Sequence, residues 1–280
     1  MSFNELYKDL AADEHNMSFW LPKIQNCGIK IPKTAIVNVP PEIMELFFLE
    51  KEGMTLVEMQ ERIYQWVKDE FIPKAKAEIG ESIWFIKNGA FSDKFNFNYC
   101  INFPSSPMRM ADHILSINYD SLMFDTGGNT EMIAREFIND PNIPTIYKGM
   151  PLRSEFRVFY DFDNHNSIYV CNYWDWDYCH QGIARDPTDK IVYEVYYPTI
   201  LNDYNTNKYY AVELVNHCFA NINDLHGIWS VDLMKHGNDM YLIDMAHGAN
   251  SAYWDKEHVD FYLKTIQDGN EWTISNVRKK

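Results

Sequence analysis

The chain has 280 residues, 46% hydrophobic and 15% aromatic, with a formal charge of −15; this supports the core of one bilobal domain or two small ones and disfavours duplex nucleic acid as a partner. No run approaches the roughly 18 apolar residues of a membrane helix, and the polar, acidic opening MSFNELYKDLAADEH does not read as a signal peptide. Cys27, Cys100, Cys171, Cys179 and Cys218 lack C-x-x-C spacing, which argues against structural disulfides or a zinc site and for a reducing, cytoplasmic setting.

Residues 2–15 read as a short helix. Residues 28–37 read as a turn into a short strand, ended by Pro40-Pro41. Leu56, Met59, Ile63, Trp66 and Val67 fall on one stripe of a helix over 55–70. Pro73 and Gly80 bracket a polar connector. The period then drops to two. Residues 84–87 read as a buried strand, and Phe95, Phe97, Tyr99, Ile101 and Phe103 alternate with Asn96, Asn98, Cys100 and Asn102 as a half-buried one. The small-residue loop 88–94 joins the two antiparallel. A helix over 106–124, a loop over 125–129 and a strand over 131–138 follow, and Asn139-Asp140-Pro141 ends that strand.

The second half is strand-rich. Residues 155–161 put Phe156, Val158 and Tyr160 on one face and Glu155, Arg157 and Phe159 on the other. Asp163-Asn164-His165-Asn166 is turn chemistry, and 167–174 return as the hairpin partner. Residues 205–224 are helical, with Tyr209, Val212, Val215, Phe219 and Ile222 in phase. Strands over 228–235 and 240–246 flank His236-Gly237-Asn238-Asp239. Helices and strands mix without regular βαβ alternation, so the fold class is α+β.

Several positions carry possible chemistry. Lys87 ends an apolar strand before a loop with Gly89 and Ser92; a polyphosphate needs such a cation and close backbone amides, although a strand-end lysine reaching solvent is the plain alternative. G-x-x-x-x-G-K-[ST] is absent, so this is not a P-loop. Asp232 and Asp244 each sit in an apolar run, where a lone carboxylate is costly unless paired with a cation. A three-residue loop, 237–239, sets them opposite each other on one face; a two-residue Gly237-Asn238 turn sets them on opposite faces. Opposed carboxylates suit a bridging Mg²⁺ that also takes phosphate oxygens; two strand-edge acids are the alternative. Arg157 suits bidentate phosphate or carboxylate binding, or a pair with Glu155. Glu136-Phe137-Ile138 precedes a Pro-containing link, a hinge that could hold an adenine. His180 and His217 fit no metal spacing, whereas His247, after the second aspartate strand, reads equally as a residue reaching the cleft and as a solvated turn histidine. Trp174-Asp175-Trp176-Asp177-Tyr178 reads equally as the lining of a substrate mouth and as an interface patch.

Taken in order, these pieces resemble the ATP-grasp superfamily. Gly28-Ile29-Lys30-Ile31-Pro32-Lys33-Thr34 resembles its G-[IV]-x-[IV]-P-K-T segment. Lys87 with loop 88–94 resembles its strand lysine and phosphate-covering loop, and Arg135-Glu136-Phe137-Ile138 its adenine hinge. Glu155-Phe156-Arg157-Val158-Phe159 resembles the strand that follows, and Asp232 with Tyr241-Leu242-Ile243-Asp244 its metal strands. The short L-I-D and E-F-R-V-F motifs are most similar to the branch of the cell-division-cycle 123 proteins. The match runs over about residues 28–250. One departure is Ala246, where the family usually has Asn; either His247 or Asn250 substitutes for it, or one of two metals is lost.

The resemblance implies two β-rich lobes enclosing a nucleotide cleft. Residues 1–80 would form an N-terminal helical and short-strand region, 81–140 the small lobe with the phosphate loop, and 141–280 the large lobe with the metal site. It implies ATP and Mg²⁺ as cofactors. Lys33, Lys87, Gly89 and Ser92 would hold phosphates, Glu136, Phe137 and Ile138 the adenosine, and Asp232, Asp244 and Asn250 the metal. Lys87 and Arg157 would be catalytic, with Arg157 also on the phosphates. The implied activity is a carboxylate–amine ligase acting through an acyl phosphate on a small-molecule or peptide carboxylate. The alternative is an ATP-binding assembly factor for a protein partner with little or no turnover, which Ala246 favours.

Overall fold

A computed structural model describes residues 2–48, 53–123, 128–183 and 186–276. The chain divides into two compact units, the first of residues 1–19, 32–141 and 147–150, the second of residues 20–31, 142–146 and 151–280.

The first unit is built on an antiparallel sheet ordered β1-β4-β2-β3, with β1 Thr34–Asn38, β2 Trp84–Asn88, β3 Ile101–Asn102 and β4 Glu131–Glu136. Its helices are α1 Phe3–Ala11, α3 Pro41–Phe48, α4 Leu56–Trp66, α5 Ile72–Ile79, α6 Phe97–Cys100 and α7 Pro107–Met123, and α2 Met17–Ile24 starts here. Strand alternation sorts the sheet. Ala35, Val37, Trp84, Ile86, Met132 and Ala134 join Ile63, Trp66, Ala75, Ile79, Ile114 and Ile117 of the helices in one apolar core. The other face carries Phe85, Lys87, Glu131, Ile133 and Arg135.

Two expectations change in this unit. The Phe/Asn alternation over 95–103 is not a strand: a 3₁₀ turn, α6 and only two strand residues occupy it. Phe97 and Cys100, three apart on a helical turn, are buried, whereas Phe95, Tyr99 and Phe103 are exposed, so the period of two never met a core. The antiparallel pairing survives at Trp84↔Asn102 and Phe85↔Ile101. The connector between Pro73 and Gly80 is helix α5. Pro73 sits in its first turn and Gly80 caps it at φ +91°, the positions where proline and glycine suit a helix. A π-helical turn, Val67–Phe71, joins α4 to α5. Of the expected loop 125–129, residues 125–127 lie outside the described residues.

Short strands β5 Thr145–Ile146 and β6 Met150–Pro151 lie in the link that follows. The second unit's sheet comprises β7 Glu155–Asp161, β8 Asn166–Asn172, β9 Ile228–His236 and β10 Asp239–His247, ordered β10-β9-β7-β8 and antiparallel. Its helices are α8 Trp176–Ile183, α9 Pro187–Phe219 and α10 Lys256–Gln267. On one sheet face Phe156 stacks on Tyr204 of α9, and Tyr160 and Phe162 meet Phe219. On the other, Phe159 and Tyr169 pack with Val259 and Tyr262 of α10 and with Trp272. Strand β7 is therefore covered on both sides.

Helix α9 runs over 187–219 rather than 205–224. Asp186 caps it, accepting the N–H groups of Thr188 and Asp189. Its early turns bury Tyr193 and Ile200 but expose Ile191, Val195 and Leu201, so no one-sided stripe marks them. The α+β class stands. Among the described residues no helix is long and apolar enough to cross a membrane, and all five cysteines are free thiols.

Candidate functional site

In the second unit three of the expected site residues meet. Arg157 lies opposite Asp232 across β7 and β9. Its Nε and Nη2 donate to the two Asp232 oxygens, each at 2.7 Å, and its Nη1 donates to the Ala252 carbonyl at 3.1 Å. The guanidinium lies 5.0 Å from the Tyr173 ring centroid. Both partners are buried, at 9% and 6% exposure. Burial alone would lower the guanidinium pKa, but the Asp232 charge and its hydrogen bonds outweigh that and hold Arg157 above its ordinary value, with Tyr173 and Asp244 adding to the effect.

Asp244 faces Asp232, by a route the sequence did not suggest. The turn is the two-residue one, because His236 pairs with Asp239. In an unbroken ladder that turn would put the acids on opposite faces. A register shift between Leu242 and Asp244 skips Ile243, and from there Asp244 pairs with Asp232 and Met245 with Val231. The bulge gives the facing arrangement that a three-residue loop would have given. Asp244 Oδ1 accepts the Met245 N–H at 3.1 Å. Asn250 ends a 3₁₀ turn, Gly248–Asn250, and is exposed. His247 packs on Trp229, and His180 stacks on Trp176.

In the first unit Lys87 is 3% exposed, so it is not a strand-end lysine in solvent. It pairs across strands with Ile133, and its charge is one of the influences opposing the burial that raises the Glu131 pKa. Glu131 accepts the Met17 and Ser18 N–H groups at the start of α2. Arg135 Nε donates to Thr34 Oγ1 at 3.1 Å. Lys33 is exposed, and its carbonyl accepts the Glu136 N–H at 2.8 Å. Phe137 donates its N–H to the Ile83 carbonyl at 3.0 Å and contacts the Phe97 ring. Glu136, Phe137 and Ile138 are half-buried.

The loop after Lys87 is ordered by two asparagines. Asn88 Oδ1 accepts the Ala90 and Phe91 N–H groups at 3.0 and 2.6 Å, and Asn129 Oδ1 accepts those of Gly89 and Glu131 at 3.2 and 2.9 Å. Asn129 Nδ2 donates to Asn16 at 2.7 Å. A Cβ on Gly89 would meet the Asn129 carboxamide at 2.5 Å, so glycine is required there by the close approach of Asn129. The amides of Gly89, Ala90 and Phe91 are thus engaged within the protein. Ser92 is half-buried, and its carbonyl accepts the Cys100 thiol.

Next to Ser92 stands a residue that the sequence did not single out. Asp93 is buried, has a left-handed φ of 43°, and leaves Oδ2 without a hydrogen-bond partner. Burial, with Asp120 nearby, pushes its pKa up to about 6, against the pull of Lys148. Its only sequence signal was an acid among small loop residues. Asn129, the organiser of the loop, gave none.

No protein-family model matches the chain, and no curated protein matches it in sequence. Solved structures similar in fold include C-terminally truncated Cdc123 from Schizosaccharomyces pombe, 12% identical over 99% of this chain and 96% of that one, with a TM-score of 0.49. A RimK-domain ATP-grasp protein from Sphaerobacter thermophilus is 11% identical over 91% of this chain and 62% of that one, at 0.35. D-alanine–D-alanine ligase from Bacillus anthracis, solved with ATP, is 8% identical over 95% and 69%, at 0.41.

Proposed function

We propose that the chain binds ATP together with Mg²⁺ and uses it as a carboxylate–amine ligase. The observation that supports this most is the bulge at Ile243, which turns Asp244 toward Asp232 beside the buried Arg157. The Arg157 guanidinium holds both oxygens of Asp232, and Asp244 lies opposite that carboxylate on the neighbouring strand. Among the described residues no group of three or more His, Cys, Asp and Glu could hold a metal ion by itself. A Mg²⁺ that arrives with nucleotide phosphates needs only one or two carboxylates, and Asp232 and Asp244 fit that demand. Asn250, at the exposed turn, would complete the set. Bound there, the ion would neutralise phosphate charge.

Lys87 is the phosphate cation in this reading, buried where a desolvated ammonium acts strongly on an anion. Lys33 would approach the phosphates from its exposed position. Gly89 and Ser92 would cover them, Gly89 by close approach alone because Asn129 holds its amide, and Glu136, Phe137 and Ile138 would hold adenine and ribose. The protein would contribute position and charge, with no covalent nucleophile.

A second reading, an ATP-binding assembly factor for a protein partner, is favoured by one observation. The Arg157 guanidinium spends three of its five N–H donors on Asp232 and Ala252, which leaves only the second N–H of Nη1 and of Nη2 for a transferred phosphoryl group. Ala246 points the same way.

Calorimetric titration with Mg²⁺ and ATP tests the nucleotide claim. Saturable binding is expected, weakened at least about tenfold in both Lys87→Met and Asp244→Asn, each of which removes one charge from its site. Absence of binding to the unaltered chain overturns the proposal. Phosphate release that depends on an added carboxylate and amine selects the ligase; binding without release selects the assembly factor.

A further inference from the structure

The aromatic–acidic segment around Asp175 opens onto a cavity of its own. The cavity has a volume of about 280 Å³ and lies along β8, the edge strand of the second sheet. Cys171 and Asn172 of β8, Asp175, Tyr197 and Tyr204 of α9, and Tyr253 line it. No lining residue is basic.

Its polar groups are unevenly satisfied. Tyr204 donates its hydroxyl to the Val170 carbonyl at 2.9 Å and Tyr253 donates to Tyr173 at 2.8 Å, so both present their rings. The Tyr204 ring is already shared with Phe156 and Lys208. Asp175 Oδ1 accepts the N–H groups of Asp177 and Tyr178 at the start of α8. Asn172 is 8% exposed; its Oδ1 accepts the Trp174 N–H, and its Nδ2 has no partner. A buried amide donor left unpaired is costly. Burial is the main cause that holds the Tyr197, Tyr204 and Tyr253 phenols above their ordinary pKa, and the Asp175 charge adds to it in each. The lining is therefore acidic at Asp175 and otherwise largely aromatic, with the unpaired Asn172 Nδ2 buried in its wall.

We propose that this cavity binds a small primary ammonium with a carbonyl beside it, the chemistry of a single amino acid or its amide. Asp175 accepts from the ammonium, the Tyr197 and Tyr253 rings cover the cation, and Asn172 Nδ2 donates to the carbonyl. A divalent metal fits poorly, since only one carboxylate is present and hard cations demand several oxygens. A nucleotide fits poorly, since no lining residue is basic. The assignment does not depend on ATP binding, and it is tested without nucleotide.

The test is calorimetric titration of the full chain with phenylalaninamide, N-acetylphenylalaninamide and phenethylamine. Phenylalaninamide should saturate the site, and the acetylated form, which lacks the cation, should bind at least about tenfold more weakly. Asp175→Asn should weaken phenylalaninamide about tenfold without lowering the melting temperature, because Asn also caps a helix. Asn172→Leu should weaken phenylalaninamide but not phenethylamine, which has no carbonyl. Lack of saturation by phenylalaninamide overturns the proposal. So does equal binding of the acetylated form, which the unaltered chain reports whether or not either variant folds.

Discussion

Asp244 stands opposite Asp232 because Ile243 is left out of the β9–β10 ladder. Every pair before the bulge keeps the register of the two-residue turn, and every pair after it is shifted by one. Deleting Ile243 should therefore rebuild an unbroken ladder in which Asp244 still meets Asp232 and no other pair changes. Inserting a glycine between Gly237 and Asn238 should disturb the ladder between turn and bulge. The deletion variant is expected to keep near-native cross-strand contacts between strands 228–236 and 239–247 by nuclear Overhauser measurement, and the insertion to lose them.

The Arg157–Asp232 pair sets a stability prediction. Removing one member strands a buried charge, so Asp232→Ala should cost about 3–5 kcal/mol in urea unfolding. Arg157→Met with Asp232→Leu should be much less costly than the two single changes summed, since neither charge then remains. Additive losses would show that the pair is not what the two residues share.

Asp93 gives a pH prediction. Its folded pKa, about 6, lies above the ordinary 3.8, so the folded chain holds that proton more tightly. The group contributes stability that grows as pH falls from about 6 to about 4 and is absent at neutral pH. Asp93→Asn, which tolerates the left-handed φ, should stabilise the protein at pH 7 by on the order of 1–3 kcal/mol. The gain should shrink toward pH 4 when unfolding is followed across that range.

His113 has the opposite sign. Burial, with Arg109 adding to it, lowers its pKa to about 4 despite the contact of Nε2 with the Ile86 carbonyl at 3.2 Å. The folded chain keeps it neutral while the unfolded chain protonates it, so its contribution is lost as pH falls from about 6.5 to about 4. His113→Gln should flatten that loss, visible as a smaller drop in melting temperature between pH 7 and pH 4.5.

Gly89→Ala should drive the new methyl into Asn129 and release the Gly89 amide. Faster hydrogen exchange at Gly89 and Glu131, with a loss of about 1–3 kcal/mol, is the expected result. Unchanged exchange would mean that Asn129 moves aside freely.

Much of this was legible before any coordinates. Strand 155–161 was read with its observed ends, and the helix over 106–124 and the last two strands shifted by only a residue or two. These segments have a clear period and clear turns. The facing of the two aspartates was reached through the wrong loop, because a bulge leaves no mark in a hydrophobic pattern. Residues 95–103 misled because alternation counts only where one side meets a core, and Phe95, Tyr99 and Phe103 do not. Proline misled at 73, where it starts a helix rather than breaking one. In the candidate site, residue types pointed to Arg157, Asp232 and Lys87. The contacts of Asn129 and the unpartnered Asp93 Oδ2 and Asn172 Nδ2 arise from tertiary packing and have no counterpart in local sequence.

The inner place of β7 has a consequence for the order in which the chain is made. Its hairpin partner β8 follows at once, but β9 arrives only after the whole of α9, and Arg157 waits 75 residues for Asp232. A nascent chain that has not yet reached β9 carries an uncompensated guanidinium and an open strand edge able to pair with other chains. Premature termination within α9 should therefore yield aggregating fragments.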